Sequence, residues 1–296
     1  MRWRRTGRSP DVIDARGGGG GRLGFPGGGR VAVPGGLGIA GVIVYVLLQV
    51  LSSGGGQAFG VDSQFGAAPQ APDARGIPAA QDPERDLKDF SAYVFTRAND
   101  TWEQIFSQQG QPYERAKLVL YRAGVNTGGC GSASSAVGPF YCPGDGRVYI
   151  DLSFYVDMQR QLGASGDFAW AYVIAHEVGH HVQQQLGTSD EVRRLQQENR
   201  NDANALSVRL ELQADCYSGV WADTVFEAGD LEPGDVQEAV TASEAVGDDR
   251  LQSRAGGGVD TDSFTHGSSE QRARWFNAGR ERGEPGDCDT FSVEEP

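Results

Sequence analysis

The chain has 296 residues, 39% hydrophobic and 9% aromatic, with 43 glycines and a net charge of −14. That length allows one good-sized domain plus less ordered additions, and the acidic balance argues against a nucleic-acid partner. The charge is unevenly placed: residues 1–30 hold seven arginines against two aspartates, residues 31–52 hold none, and the remainder carries about −19.

Residues 1–30, rich in Arg and Gly with little to bury, are expected to form a disordered basic cytoplasmic tail. The 22 uncharged residues from Val31 to Ser52, densest in apolar side chains from Leu37 to Leu51, suit a transmembrane helix. A cleaved signal peptide is the competing reading. Arginines before this stretch and none just after it predict a single-pass membrane protein, its N-terminus cytoplasmic and its body extracytoplasmic. Residues 53–84, of Ser, Gly, Gln, Ala and Pro, read as a flexible linker, and residues 85–296 as one folded domain.

Within that domain, Leu87, Phe90, Val94, Trp102, Ile105 and Phe106 recur at helical spacing. Lys117–Tyr121 reads as a short strand. From Arg147 to Leu152 the residues alternate, with Val148, Ile150 and Leu152 on one face and Tyr149 and Asp151 on the other, which predicts a half-buried strand. Asp167 to Leu186 reads as a helix that Asp167 caps and Gly187 ends. A second long helix is expected over Ala203 to Phe226, and a third where Ser268, with Gln271 three residues on, can form a capping box.

The first of these helices holds His176-Glu177-Val178-Gly179-His180. Residues four apart share a helical face, so His176 and His180 can aim two ring nitrogens at one metal ion. Glu177, about 100° round the helix, can reach a metal-held water without ligating the metal. Two histidines on a helix are often only a solvated pair. Here Val173, Ala175, Val178 and Val182 surround them, and a candidate third ligand follows. Leu186 and Gln183 stand where a metzincin needs His and Gly, which excludes that class. Glu211, with Asp215 one turn on, completes two histidines and a carboxylate; Glu191 and Glu198 are rivals without a paired aspartate. Asp215 can accept the outer ring N–H of a ligand histidine, His176 best. Two imidazoles, a carboxylate and a water fit zinc, Zn2+, one per chain.

These residues carry a resemblance. His176-Glu177-Val178-Gly179-His180 followed by Glu211-x-x-Ala214-Asp215 resembles the gluzincin group of zinc peptidases. Gly138-Pro139-Phe140-Tyr141-Cys142-Pro143, Tyr149-Ile150-Asp151-Leu152, Gln213-Ala214-Asp215-Cys216-Tyr217 and Thr265-His266-Gly267-Ser268-Ser269, in the same order, are similar to the bacterial putative neutral zinc metallopeptidase family over roughly residues 85–292. The resemblance implies an α+β, zincin-like domain with a small sheet and ligand-bearing helices; the expected transmembrane helix precedes it and lies outside the resemblance. It implies hydrolysis of a polypeptide by a metal-activated water with Glu177 as general base. His266 is the candidate oxyanion donor, with a structural role as its alternative; Tyr149 and Arg272 are weaker candidates. His181 reads as a supporting or surface residue. The strand at Val148–Leu152 is the expected edge along which an extended substrate lies. A zinc hydrolase acting on a cell-wall amide and a non-catalytic binding module remain rival readings.

Four cysteines, Cys130, Cys142, Cys216 and Cys288, allow three pairings. The short Gly- and Ser-rich loop favours Cys130–Cys142, leaving Cys216–Cys288, and no Cys-x-x-Cys spacing suggests a structural metal.

Overall fold

The computed structural model describes residues 1–5, 9–17, 76–256 and 258–296. Strand β1 is Val12–Asp14; helix α1, Arg85–Gln108, follows, then strands β2 (Lys117–Tyr121), β3 (Gly124–Asn126), β4 (Ser132–Ser134), β5 (Phe140–Cys142) and β6 (Arg147–Asp151). The remainder is helical: α2 (Ser153–Asp157), α3 (Asp167–Gln185), α4 (Thr188–Glu198), α5 (Ala203–Glu227), α6 (Asp235–Ala245), α7 (Asp248–Arg254) and α8 (Ser269–Arg282). The class is α+β, as expected.

The main sheet has the order β1-β2-β6-β5, with β5 antiparallel to β6 and the other neighbours parallel. Strands β3 and β4 form a separate hairpin. Leu118, Leu120, Val148 and Ile150 on one sheet face join Phe90, Val94, Phe95 and Trp102 of α1 and most of α3 in the principal core. Helix α3 is apolar nearly all round and buried from Phe168 to Val182 except at Val173 and His180, which makes it the central helix.

Strand β6 departs from expectation in two ways. It is not an edge: β2 and β5 flank it, and the edges of the sheet among the described residues are β1 and β5. Nor is it half-buried, because its second face has a core of its own. Tyr149 stacks on Phe140 at 5.1 Å, and its hydroxyl donates to Asp145. Asp151 accepts from the Ala123 N–H at 2.8 Å and the Ser135 hydroxyl at 2.6 Å. Polar side chains on an alternating strand were satisfied internally, so their polarity did not mark solvent.

The N-terminal residues also differ from the expected disordered tail. Val12 pairs with Leu118 and Asp14 with Leu120. Arg16 is fully buried against Asp14, Asp82 and Glu84, at 2.8, 2.6 and 3.0 Å. Asp11 binds Arg115 and Lys117, and Trp3 packs edge-on to Phe90. Opposed charges and one strand of backbone pairing anchor what composition alone presents as unstructured. Asp82 has no exposed side-chain surface, so the folded body begins before residue 85.

No helix among the described residues is long and apolar enough to cross a membrane. The run 31–52 expected to be the transmembrane helix lies outside the described residues, as does most of the expected linker. Strand β1 precedes that run and β2 follows it, and the two pair in one sheet.

Candidate metal centre

Helices α3 and α5 supply the site, and small residues let them approach. A Cβ on Gly179 would lie 3.0 Å from the Ala214 carbonyl oxygen and 3.2 Å from its Cα. Glycine costs a helix interior about 1 kcal/mol relative to alanine, so its presence here reflects this contact. At that separation Glu211 meets both histidines. Its Oε2 is 3.2 Å from Nε2 of His176 and its Oε1 is 3.5 Å from Nε2 of His180. The donor atoms of His176, His180 and Glu211 all lie within 4.8 Å of one another. Two imidazole nitrogens and one carboxylate converging at a cleft fit zinc, with room for a water.

The outer nitrogens of both rings are held. Nδ1 of His176 lies 2.8 Å from Oδ1 of Asp215, as the spacing suggested. Nδ1 of His180 lies 2.9 Å from Oε1 of Gln183. The Gln183 amide donates to the Leu210 carbonyl at 2.6 Å and to Oε1 of Gln213 at 3.1 Å. Gln213 in turn donates to the Cys288 carbonyl. With each Nδ1 donating outward, each Nε2 is left as the lone pair for a metal.

The electrostatics suit the chemistry. Burial works against a charged His176, but Asp215 and Glu211 outweigh it and lift the ring to about 10. Cation entry at neutral pH therefore displaces a proton. Burial likewise opposes the Glu211 charge, and His180 and His176 hold this carboxyl well below the usual range. Glu177 is pushed up by burial, against the pull of His180 and His176. A carboxylate with a raised pKa is suited to taking and returning a proton. Its side chain lines a cleft of about 320 Å³ shared with both ligand histidines, Glu211, His266 and Tyr141 of the edge strand.

His266 reaches this cleft from the loop before α8. Asp248, the first residue of α7, holds that loop: its Oδ2 accepts the N–H groups of Thr265, His266 and Gly267 at 2.7, 2.7 and 3.2 Å. Its Oδ1 lies 3.2 Å from Nδ1 of His266. The Nε2 atom is the one left for the cleft. Tyr149 is excluded as a donor here, since its hydroxyl is spent on Asp145 in the second core. The Arg272 guanidinium is spent on Asp215. His181 is structural, its Nδ1 3.1 Å from the Tyr141 hydroxyl and its Nε2 2.6 Å from the Glu114 carbonyl.

The residues that sequence reasoning missed are Gln183 and Asp248. Gln183 lies three residues after His180, the helical spacing at which side chains meet. Asp248 lies 18 residues before His266, a distance that carries no local signal. The α3 cap also differs: Gly166, not Asp167, precedes the first turn, and Oε2 of Glu238 accepts the Phe168 N–H at 3.0 Å. Asp167 instead accepts the Met1 ammonium at 2.7 Å, as does Asp235 at 3.3 Å. A larger hollow of about 870 Å³, bordered by Arg2, Trp3, Tyr93 and Arg97, contains none of the metal-centre residues.

Both expected disulfides form, Cys130–Cys142 and Cys216–Cys288, and no described cysteine is free. The second ties the C-terminal segment to the helix that carries Glu211 and Asp215.

Comparison with known proteins adds four findings. Residues 1–291 match the model of a family described as "Putative neutral zinc metallopeptidase". The chain is 46% identical over 293 residues to "Uncharacterized protein YpfJ" of Escherichia coli (strain K12), covering 98% of this chain and 99% of the other. It is also 46% identical over 192 residues to "Uncharacterized protein Rv2575" of Mycobacterium tuberculosis (strain ATCC 25618 / H37Rv), covering 61% and 64%. No solved structure gives a significant match.

Proposed function

The chain belongs to the putative neutral zinc metallopeptidase family, and on that premise we propose that it is a zincin-like endopeptidase that hydrolyses polypeptides at the centre formed by His176, His180 and Glu211. The observation that carries this reading is the convergence of those three side chains beside a buried Glu177 that accepts no hydrogen bond from a described residue. Zinc, when bound there, would activate a water and polarise the scissile carbonyl.

The chain's own residues do the rest. Glu177 takes the proton from the attacking water and delivers it to the leaving amine. His266, its Nδ1 held by Asp248, turns Nε2 toward the oxygen on which charge develops and donates to it when the ring carries both protons. The substrate lies extended along β5, whose outer edge pairs with no other strand among the described residues and whose Phe140 and Tyr141 line the cleft. Gln183 and Asp215 keep the two ligand rings in the tautomer that a metal needs.

Membrane attachment through residues 31–52 belongs to this reading, with the body extracytoplasmic, where two disulfides persist. The pairing of β1 with β2 favours an attachment that keeps both flanks of that run on one side, in place of the single pass with a cytoplasmic N-terminus.

The test is a substrate panel offered to the zinc-loaded protein: an unfolded protein, short blocked peptides and cell-wall muropeptides, with products read by mass spectrometry. Internal cleavage of the polypeptides supports the proposal. Cleavage of muropeptides alone would replace it with a cell-wall amidase, and turnover of none would favour a binding module.

A further inference from the structure

Arg272 lies on α8, a helix that holds none of the groups assigned to the reaction. Its side chain is nearly inaccessible, and it grips Asp215 with two hydrogen bonds, Nε to Oδ2 at 2.8 Å and Nη2 to Oδ1 at 3.0 Å. The same Nη2 is 3.2 Å from the Tyr172 hydroxyl and 4.0 Å from Oε2 of Glu211. Tyr172 donates to Asp215 as well. Asp215 thus accepts from His176, Tyr172 and Arg272 with no exposed surface of its own. A bidentate guanidinium fixes the plane of a carboxylate as well as neutralising it. Here that plane decides where the Nδ1 of His176 must point.

What brings Arg272 to this position is the packing of α8 on α5. Glu211, Asp215 and Gly219 follow one another at four-residue steps on one face of α5. Arg272, Phe276 and Gly279 share a face of α8. A Cβ on Gly219 would stand 2.1 Å from the Phe276 carbonyl oxygen, and one on Gly279 would stand 1.9 Å from the Cys216 carbonyl oxygen. The helices therefore touch backbone to backbone, and their contacts advance in the same direction, Asp215 with Arg272 and Gly219 with Phe276 and Gly279. Neither helix can slide or withdraw without moving the guanidinium off Asp215. The Ser268–Gln271 capping box fixes where α8 starts, with its N-cap four residues before Arg272.

We propose that Arg272 is a positioning residue for the metal centre: delivered by the Gly219–Gly279 contact, it orients Asp215 and through it the His176 ring, so that zinc affinity depends on α8. This rests on the metal-centre reading above. It predicts that Arg272→Lys, which keeps the charge and loses the two-pronged grip, weakens zinc binding roughly 10–100-fold, the range seen when a partner of a metal-ligating histidine is lost.

The experiment is chelator-competition measurement of zinc affinity for the wild type, Arg272→Lys and Phe276→Leu, with the visible spectrum of each cobalt-substituted protein and its urea midpoint. Phe276→Leu trims a buried side chain of the same helix and leaves the backbone contact at Gly219 and the Arg272 grip in place. The expected result is weaker zinc binding and an altered cobalt spectrum in Arg272→Lys, with both near wild type in Phe276→Leu. Equal affinities and spectra in wild type and Arg272→Lys would overturn the inference while leaving the metal centre standing. So would parallel losses in both variants at equal loss of stability, or an Arg272→Lys chain that does not fold, because the arginine would then serve the fold alone. A wild type that binds no zinc would overturn the metal-centre reading and this inference with it.

Discussion

Nδ1 of His176 and Oδ1 of Asp215 lie 2.8 Å apart, joining the two helices that supply the proposed metal ligands across 39 residues of sequence. The contact sets the tautomer of His176, and it also compensates a carboxylate with no exposed surface. Asp215→Ala removes both effects and leaves Arg272 as a buried charge without its partner. Zinc affinity is expected to fall roughly 10–100-fold, measured by chelator competition. Asp215→Asn keeps an acceptor oxygen and falls less.

The role given to His266 separates binding from turnover. His266→Ala should lower kcat by roughly 10²–10³, the cost of losing one oxyanion donor, with zinc content and KM little changed. Loss of zinc instead of kcat would assign this histidine a structural part.

The N-terminal residues should detach in acid before the body unfolds. Burial would raise the Asp82 carboxyl, but Arg16 and Lys88 outweigh it and hold it at about 2, below its ordinary 3.8. A depressed carboxylate contributes stability that is complete above the unfolded value and is lost as pH falls through the folded one. The window is therefore pH 4 to 2, and the contribution about 2 kcal/mol. Hydrogen exchange at Val12–Asp14 should rise across that window, and Arg16→Ala should raise it at neutral pH. Exchange that is flat with pH would contradict the ion-pair account.

The two disulfides should differ in what they hold. The Cys216–Cys288 bridge closes 72 residues and Cys130–Cys142 closes 12. Loop-closure entropy assigns them about 4 and about 3 kcal/mol. Because Gln213 donates to the Cys288 carbonyl and bonds Gln183 in turn, Cys216→Ala with Cys288→Ala should weaken zinc binding as well as stability. The Cys130 and Cys142 pair of alanines should lower the thermal midpoint with zinc affinity retained.

The metal centre was legible because its parts are local. His176 and His180, and Glu211 and Asp215, are each one helical turn apart, so spacing alone placed them on common faces. Gln183 was legible in principle by the same rule, but glutamine near a helix end has an exposed reading that only burial removes. Asp248 was not legible, because its contact with the His266 loop depends on how α7 meets α8. The edge position of β5 depends on strand order, which three residues of alternation do not encode. Val12 and Ile13 are β-branched and suit a strand, yet their partners lie 106 residues on, at Leu118 and Val119, and the arginines and glycines around them obscured the signal.

The central claim is that Glu177 moves the proton at a metal centre built from His176, His180 and Glu211. Hydrolysis of an unfolded protein by the zinc-loaded wild type and by Glu177→Gln, at equal measured zinc content, tests it most directly. The account predicts cleavage by the wild type and a loss of roughly 10²–10⁴-fold in the variant with zinc retained. Cleavage by Glu177→Gln at the wild-type rate, or zinc bound by both proteins with neither cutting, would contradict it.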